Sequence, residues 1–114
     1  MTFDAFDVFV APFPFRTVQP QNTDPLWYCP MPRACNKRIE QSVPAMITNA
    51  KHSTWPLDVE IEDLNSAGLP SASVVRMKLF TLDHQLMIRK AGALAQNDCR
   101  YVIAALQQLF DLKV

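Results

Sequence analysis

The sequence predicts a mainly β domain of the α+β class: a small, partly open β-barrel with one C-terminal α-helix packed on it. Three observations carry this. Short runs along the chain alternate apolar and polar residues with period two, as half-buried strands do. Turn-forming or polar stretches separate these runs. Only near the end does the pattern change to helical spacing, with Val102, Ala105, Leu106 and Leu109 on one face. Many short strands and a terminal helix make a small barrel.

Taken in order, Phe6 to Phe15 reads as the first strand, its best part near Asp7–Phe13. Val8 and Val10 face one side, Phe9 and Ala11 the other. Pro12 and Pro14 remove backbone donors, so the strand's end lies on an edge or leaves the sheet. Arg16 to Cys35 carries Pro20, Pro25, Pro30 and Pro32 and follows neither period, which predicts a long irregular loop with a short strand at Leu26–Cys29. Asn36–Ser42 is a polar turn into a central strand, Val43–Thr48. Asp58–Ile61 alternates again, with Val59 and Ile61 on one side. Asn65–Pro70 is a turn by composition. Ser73–Phe80 is a strand with Val75, Met77 and Leu79 facing the core. Thr81–Gln85 turns, Leu86–Ala91 is a last short strand closed by Gly92, and Asn97–Leu109 is the helix. Asp98 sits in its first turn, where a carboxylate suits the helix dipole.

The totals exclude several classes. At 114 residues and 49% hydrophobic content the chain is one domain with a single core. Eleven basic and eleven acidic residues cancel, so any anion site is local. The three cysteines show no CxxC spacing, which predicts neither a disulfide framework nor a zinc site and suits a reducing cytoplasm. No secretory leader, bilayer-spanning run, internal repeat, GxGxxG or Walker pattern is present, and no membrane partner, cofactor or metal is expected.

The most informative stretch is AMITNAKHSTWPLDVEIED, Ala45 to Asp63. Two strands flank a loop holding an amide, an ammonium, an imidazole and a hydroxyl (Asn49, Lys51, His52, Ser53). Such a loop can bind phosphate; it is also what an ordinary surface loop looks like.

With those pieces in order, the chain resembles the MazF/PemK family of toxins from bacterial type II toxin–antitoxin systems. FDVFVAPFPF, AMITNAKHS, DVEIEDLNSAGLPSASVVRMKLFTLD and AGALAQNDCRYVIAALQQLF carry the resemblance, over most of the chain. It implies an SH3-like β-barrel of the MazF/PemK/CcdB-like kind and a homodimer. It further implies metal-independent cleavage of single-stranded mRNA to 2′,3′-cyclic phosphate and 5′-hydroxyl ends, and a cognate antitoxin as partner. By the same resemblance Thr48 is a catalytic hydroxyl that hydrogen-bonds a non-bridging phosphate oxygen, although a threonine at a strand end also caps its own backbone. Arg76 stands where plasmid-borne relatives have a catalytic arginine, with Lys78 in place of their aspartate; otherwise it is a solvated strand arginine. Arg16, Asn49, Lys51 and His52 are the candidate RNA contacts. His52 titrates near neutrality and can act as acid or base. Trp55 can stack on an unpaired base or pack in a core or dimer contact, while the acidic block Asp58–Asp63 reads as a solvated strand face.

Residues 18–35 depart from the family. Its signature arginine–proline pair and the aliphatic strand after it are replaced by VQPQNTDPLWYCPMPRAC. Reading degenerate codons for this segment one base earlier restores a family-like string, TTTKHRPALVLSDA. The codons of Trp27–Tyr28–Cys29 force valine then leucine in that frame, and Met31–Pro32 force alanine. The segment therefore has the form of a compensated double frameshift between about Thr17 and Asn36. As written, the chain lacks the family's catalytic arginine. The competing expectation is a catalytically impaired homologue that dimerises and binds antitoxin or nucleic acid without cleaving.

Overall fold

Strand pairing starts from the alternating runs. The computed structural model describes residues 4–11, 26–31, 41–51 and 55–111. Its elements are β1 (Asp7–Ala11), β2 (Leu26–Pro30), β3 (Gln41–Ser42), β4 (Pro44–Asn49), β5 (Val59–Glu60), α1 (Leu64–Ala67), β6 (Ser73–Leu79), β7 (Leu82–Asp83), a short 3-10 turn (His84–Leu86), β8 (Arg89–Ala93) and α2 (Gln96–Leu109). Six strands form one antiparallel sheet in the order β5-β6-β4-β2-β1-β8, and β3 pairs with β7. The mainly β fold with a C-terminal helix is as the sequence predicts. The sheet is not closed into a barrel by hydrogen bonds: β5 and β8 are its two edges.

The alternation decides which side chains go to which side. Val8, Cys29, Ala45, Ile47, Val59, Val75 and Met77 face one core, which α2 covers with Val102 and Ala105. Phe9, Ala11, Tyr28, Leu82 and Met87 make a second cluster on the opposite face, with Phe80 against it. Val8 and Phe9 thus serve different cores, as period two requires. Irregularities between Val8 and Phe9 and between Ala45 and Met46 re-aim the strands locally.

The short strand expected at Leu26–Cys29 forms as β2, an interior strand between β1 and β4, while other elements differ from expectation. Its Pro30 lies opposite Pro44, each at a strand end where no interior ladder bond is lost. Asn65–Pro70, expected as a turn, begins with α1: the Asp63 carboxylate accepts the Ser66 N–H at 3.0 Å, and Gly68 at φ 72° ends the helix. β3 and β7 are two-residue pairings too short to carry a pattern. The last strand begins at Arg89 and runs through Gly92, after the 3-10 turn. The predicted extension of β1 toward Phe13 lies outside the described residues.

α1 lies flush on β8. A Cβ added to Gly92 would meet the Ser66 carbonyl oxygen at 2.4 Å, and one on Gly68 the Ala91 carbonyl oxygen at 2.2 Å. Ser66 Oγ donates to the Ala93 carbonyl at 2.8 Å. The chain's two glycines both serve this one contact.

Asp98 is fully buried, which a helix-dipole role alone does not require. Its carboxylate accepts the backbone N–H groups of Glu62 at 3.0 Å and Asp63 at 3.1 Å, fastening the first turn of α2 to the segment between β5 and α1. Asp98→Ala leaves both donors without their charged acceptor and is expected to lower stability by roughly 3 kcal/mol in urea denaturation.

Tyr28 is also fully buried, and its hydroxyl has no hydrogen-bond partner among the described residues. Burial pushes its pKa from 10.0 up to about 12. The folded protein keeps this proton where the unfolded chain has lost it. The contribution is therefore whole below pH 10 and fades as pH rises toward 12. At about 1.36 kcal/mol per pH unit of displacement, the loss is on the order of 2–3 kcal/mol. Tyr28→Phe should abolish this alkaline loss and raise stability at neutral pH by roughly 1 kcal/mol, both readable by urea denaturation across pH.

Candidate functional site

Residues opposite one another in an antiparallel pair share a face. Thr48 lies opposite Val74, and Met46 opposite Arg76. Alternation on β6 therefore puts Thr48, Arg76 and Lys78 on the same side of the sheet, away from the α2-covered core. Thr48 and Arg76 are diagonal neighbours, a relation that places side chains roughly 7–8 Å apart. The two catalytic candidates are thus brought together, though they come from different strands.

Thr48 is half-buried near the end of β4. It borders a cavity of about 190 Å³ at the strand end, most of it on the α2-covered side of the sheet, where Trp27, Ile47 and Leu69 line it. Its hydroxyl has no hydrogen-bond partner among the described residues, so it is not committed to capping the strand. Asn49 is exposed, and its Oδ1 accepts the Lys51 N–H at 2.8 Å, which closes the turn after β4. The Lys51 side chain is exposed beside it. Arg16 and His52 lie outside the described residues.

Arg76 is not a solvated strand arginine. Only 8% of it is exposed. Its Nε donates to Asp58 Oδ1 at 3.2 Å and its Nη2 to Oδ2 at 2.9 Å, a two-point guanidinium–carboxylate pair. These bonds raise the guanidinium above its ordinary range. Asp58, expected on a solvated acidic face, instead matches the charge of Arg76. Glu60, Glu62 and Asp63 are exposed, as that expectation has it.

Trp55 is neither core nor fully free. It is 44% exposed, with the Lys78 ammonium 4.2 Å and the Arg76 guanidinium carbon 6.0 Å from its ring centroid. Sequence inspection missed the roles of Asp58 and Lys78. An acid and a base on neighbouring strands were the available signal, but their separation of 18 positions gave no reason to pair them. A second cation–aromatic contact sets Arg89 5.4 Å from the Trp27 ring centroid.

A groove of about 340 Å³ between β5 and α2 is lined by Asp58, Glu60, Glu62, Tyr101 and Gln108 among others. Its carboxylates disfavour phosphate. Among the described residues no His, Cys, Asp or Glu cluster is arranged to hold a metal, and no helix is long and apolar enough to cross a membrane. Cys29 and Cys99 are free thiols, and burial pushes both up.

The family model described as PemK-like, MazF-like toxin of type II toxin–antitoxin systems matches residues 6–110. None of the curated proteins matches the chain. Among solved structures, a mycobacterial endoribonuclease in complex with its cognate antitoxin is similar at TM-score 0.75 and 12% identity, covering 99% of each chain. The Mycobacterium tuberculosis toxin MazF-mt6 is similar at TM-score 0.72 and 18% identity, covering 95% of this chain and 99% of that one. MazF from Deinococcus radiodurans is similar at TM-score 0.73 and 15% identity, covering 98% and 99%. At these identities the structural likeness speaks for the fold alone.

Asp58→Ala strands a buried guanidinium and is expected to lower stability by roughly 2–3 kcal/mol. The double variant Asp58→Ala/Arg76→Met removes both charges and should be the more stable of the two in urea denaturation.

Proposed function

The chain belongs to the PemK-like, MazF-like toxin family of type II toxin–antitoxin systems, and from that premise we propose that its fold serves metal-independent cleavage of single-stranded mRNA. The observation that carries this is the Thr48 hydroxyl, without a partner among the described residues, at the end of β4 and diagonal to Arg76. In such a reaction the ribose 2′-hydroxyl loses a proton and attacks phosphorus. The 5′-oxygen leaves with a proton, and the ends are a 2′,3′-cyclic phosphate and a 5′-hydroxyl. Thr48 donates to a non-bridging oxygen of the crowded phosphorane, and Arg76, its diagonal neighbour on β6, is the second catalytic candidate, its charge offset by Asp58. Arg16, Asn49, Lys51 and His52 contact the strand. Exposed apolar side chains such as Ile88, Tyr101 and Phe110 fit a homodimer. A cognate antitoxin restrains the toxin in the bacterial cytoplasm.

The chain as written is the impaired form. The phosphorane needs a positioned cation, and by the resemblance Asp24–Pro25 stands in sequence near the place of the family's arginine; an aspartate close to phosphate would repel it. Arg76 already faces a carboxylate and does not replace that arginine. The compensated-frameshift origin of residues 18–35 gains support from Tyr28. In the shifted frame its position is a forced valine, and its hydroxyl is buried without a partner among the described residues.

Purified protein, long single-stranded RNA and EDTA make the test. The chain as written should show little or no cleavage. Rewriting the segment in the shifted frame should raise the rate by at least about a hundredfold, the typical worth of one preorganised donor. Thr48→Ala in the rewritten chain should then remove most of it. Robust cleavage by the chain as written, unchanged by Thr48→Ala, would place the active site elsewhere; coding DNA unable to spell arginine–proline in that frame would end the frameshift account.

A further inference from the structure

The turn between Thr48 and β5 is built more firmly than a connecting loop requires. Pro56 and Leu57 are its central residues, and Leu57 takes φ 65°, a conformation that leucine avoids and that a type II turn usually gives to glycine. The leucine is kept because its side chain packs against the main core. Asp58 N–H donates to the Trp55 carbonyl at 3.2 Å, and Trp55 N–H donates back to Asp58 Oδ2 at 3.1 Å. The same carboxylate grips Arg76. One acidic residue therefore fixes the main chain of the tryptophan and a guanidinium of β6 together. A backbone strained in this way persists only where its surroundings over-determine it.

What this turn presents is an indole, 44% exposed, against the Lys78 ammonium at 4.2 Å. Lys78 has no carboxylate partner among the described residues, and its ammonium lies over the Trp55 ring. Asp58 beside it is matched by Arg76, and exposed Glu60, opposite Val74, bounds this face at the sheet edge. Lys78 lies four residues along β6 from Val74, the partner of Thr48, or about 13 Å at strand spacing. A single strand covers that in a couple of nucleotides.

We propose that Trp55 and Lys78 form a nucleotide step next to the Thr48 site: an unpaired RNA base stacks on the exposed indole and the adjoining phosphate meets the Lys78 ammonium. Asp58 is its positioning residue. The proposal rests on the single-stranded RNA substrate argued above and adds a subsite to it. Aromatic stacking tolerates any base, so the step sets where the strand lies and not which motif is cut.

The test uses the chain with Trp27→Phe, which leaves Trp55 as its one tryptophan, and an uncleavable 2′-O-methyl oligonucleotide. Binding should quench Trp55 emission, while an abasic strand of equal length should bind more weakly and quench little. Trp55→Ala should weaken binding roughly ten- to a hundredfold, and Trp55→Phe should restore much of it. Lys78→Ala should flatten the salt dependence by about 0.7 in log–log slope. Binding that leaves Trp55 emission and the Trp55→Ala affinity unchanged overturns the subsite and leaves the RNA substrate standing. So does equal binding of the abasic strand. A surface that quenches only with an antitoxin peptide also overturns it. No oligonucleotide binding by this chain or by the rewritten one overturns both.

Discussion

Much of this molecule depends on one buried carboxylate. Asp98 sits in the first turn of α2 and takes two backbone N–H groups from the segment leaving β5. A buried charge is tolerated only when its acceptor sites are filled, and here the backbone fills them. The bond fixes where α2 begins, and with it the side of the sheet that Val102 and Ala105 cover. It also fixes the end of β5. Asp58 stands at the other end of that strand, so the placement of Arg76 and of the Trp55 turn follows from it. A contact made for packing therefore reaches the face where Thr48 lies.

The parts legible in the sequence were those where one side is wet and the other dry. β1, β6 and α2 each carry a period, and the two cores receive the side chains that the period assigns. β2 was legible only as a fragment. Its prolines and mixed polarity obscure the pattern, and the strand forms because β1 and β4 offer hydrogen bonds on both sides. α1 had readable signals, Asp63 before it and Gly68 after it, but four residues are too few for a helical period to register.

The site divided in the same way. Thr48 was found through resemblance, not through any local pattern, since a threonine at a strand end is unremarkable on its own. The pairing of Arg76 with Asp58 was invisible because it joins residues far apart in sequence across a sheet edge. Asp98 was placed in the first turn of the helix, as found, but its second role was hidden for the same reason: its partners are 35 and 36 positions away.

Among the described residues the sheet ends in two edge strands, and an edge invites other chains to pair there. α1 changes that outlook. It follows directly from one edge, β5, and lies against the other, β8, at a separation that only glycine at 68 and 92 permits. The two margins are thereby drawn toward each other by a four-residue helix instead of by a closing ladder. A substitution at either glycine would push them apart and free the margins. The consequence would be felt as self-association in concentrated solution before any loss of secondary structure, because the strands themselves would still be paired on their inner sides.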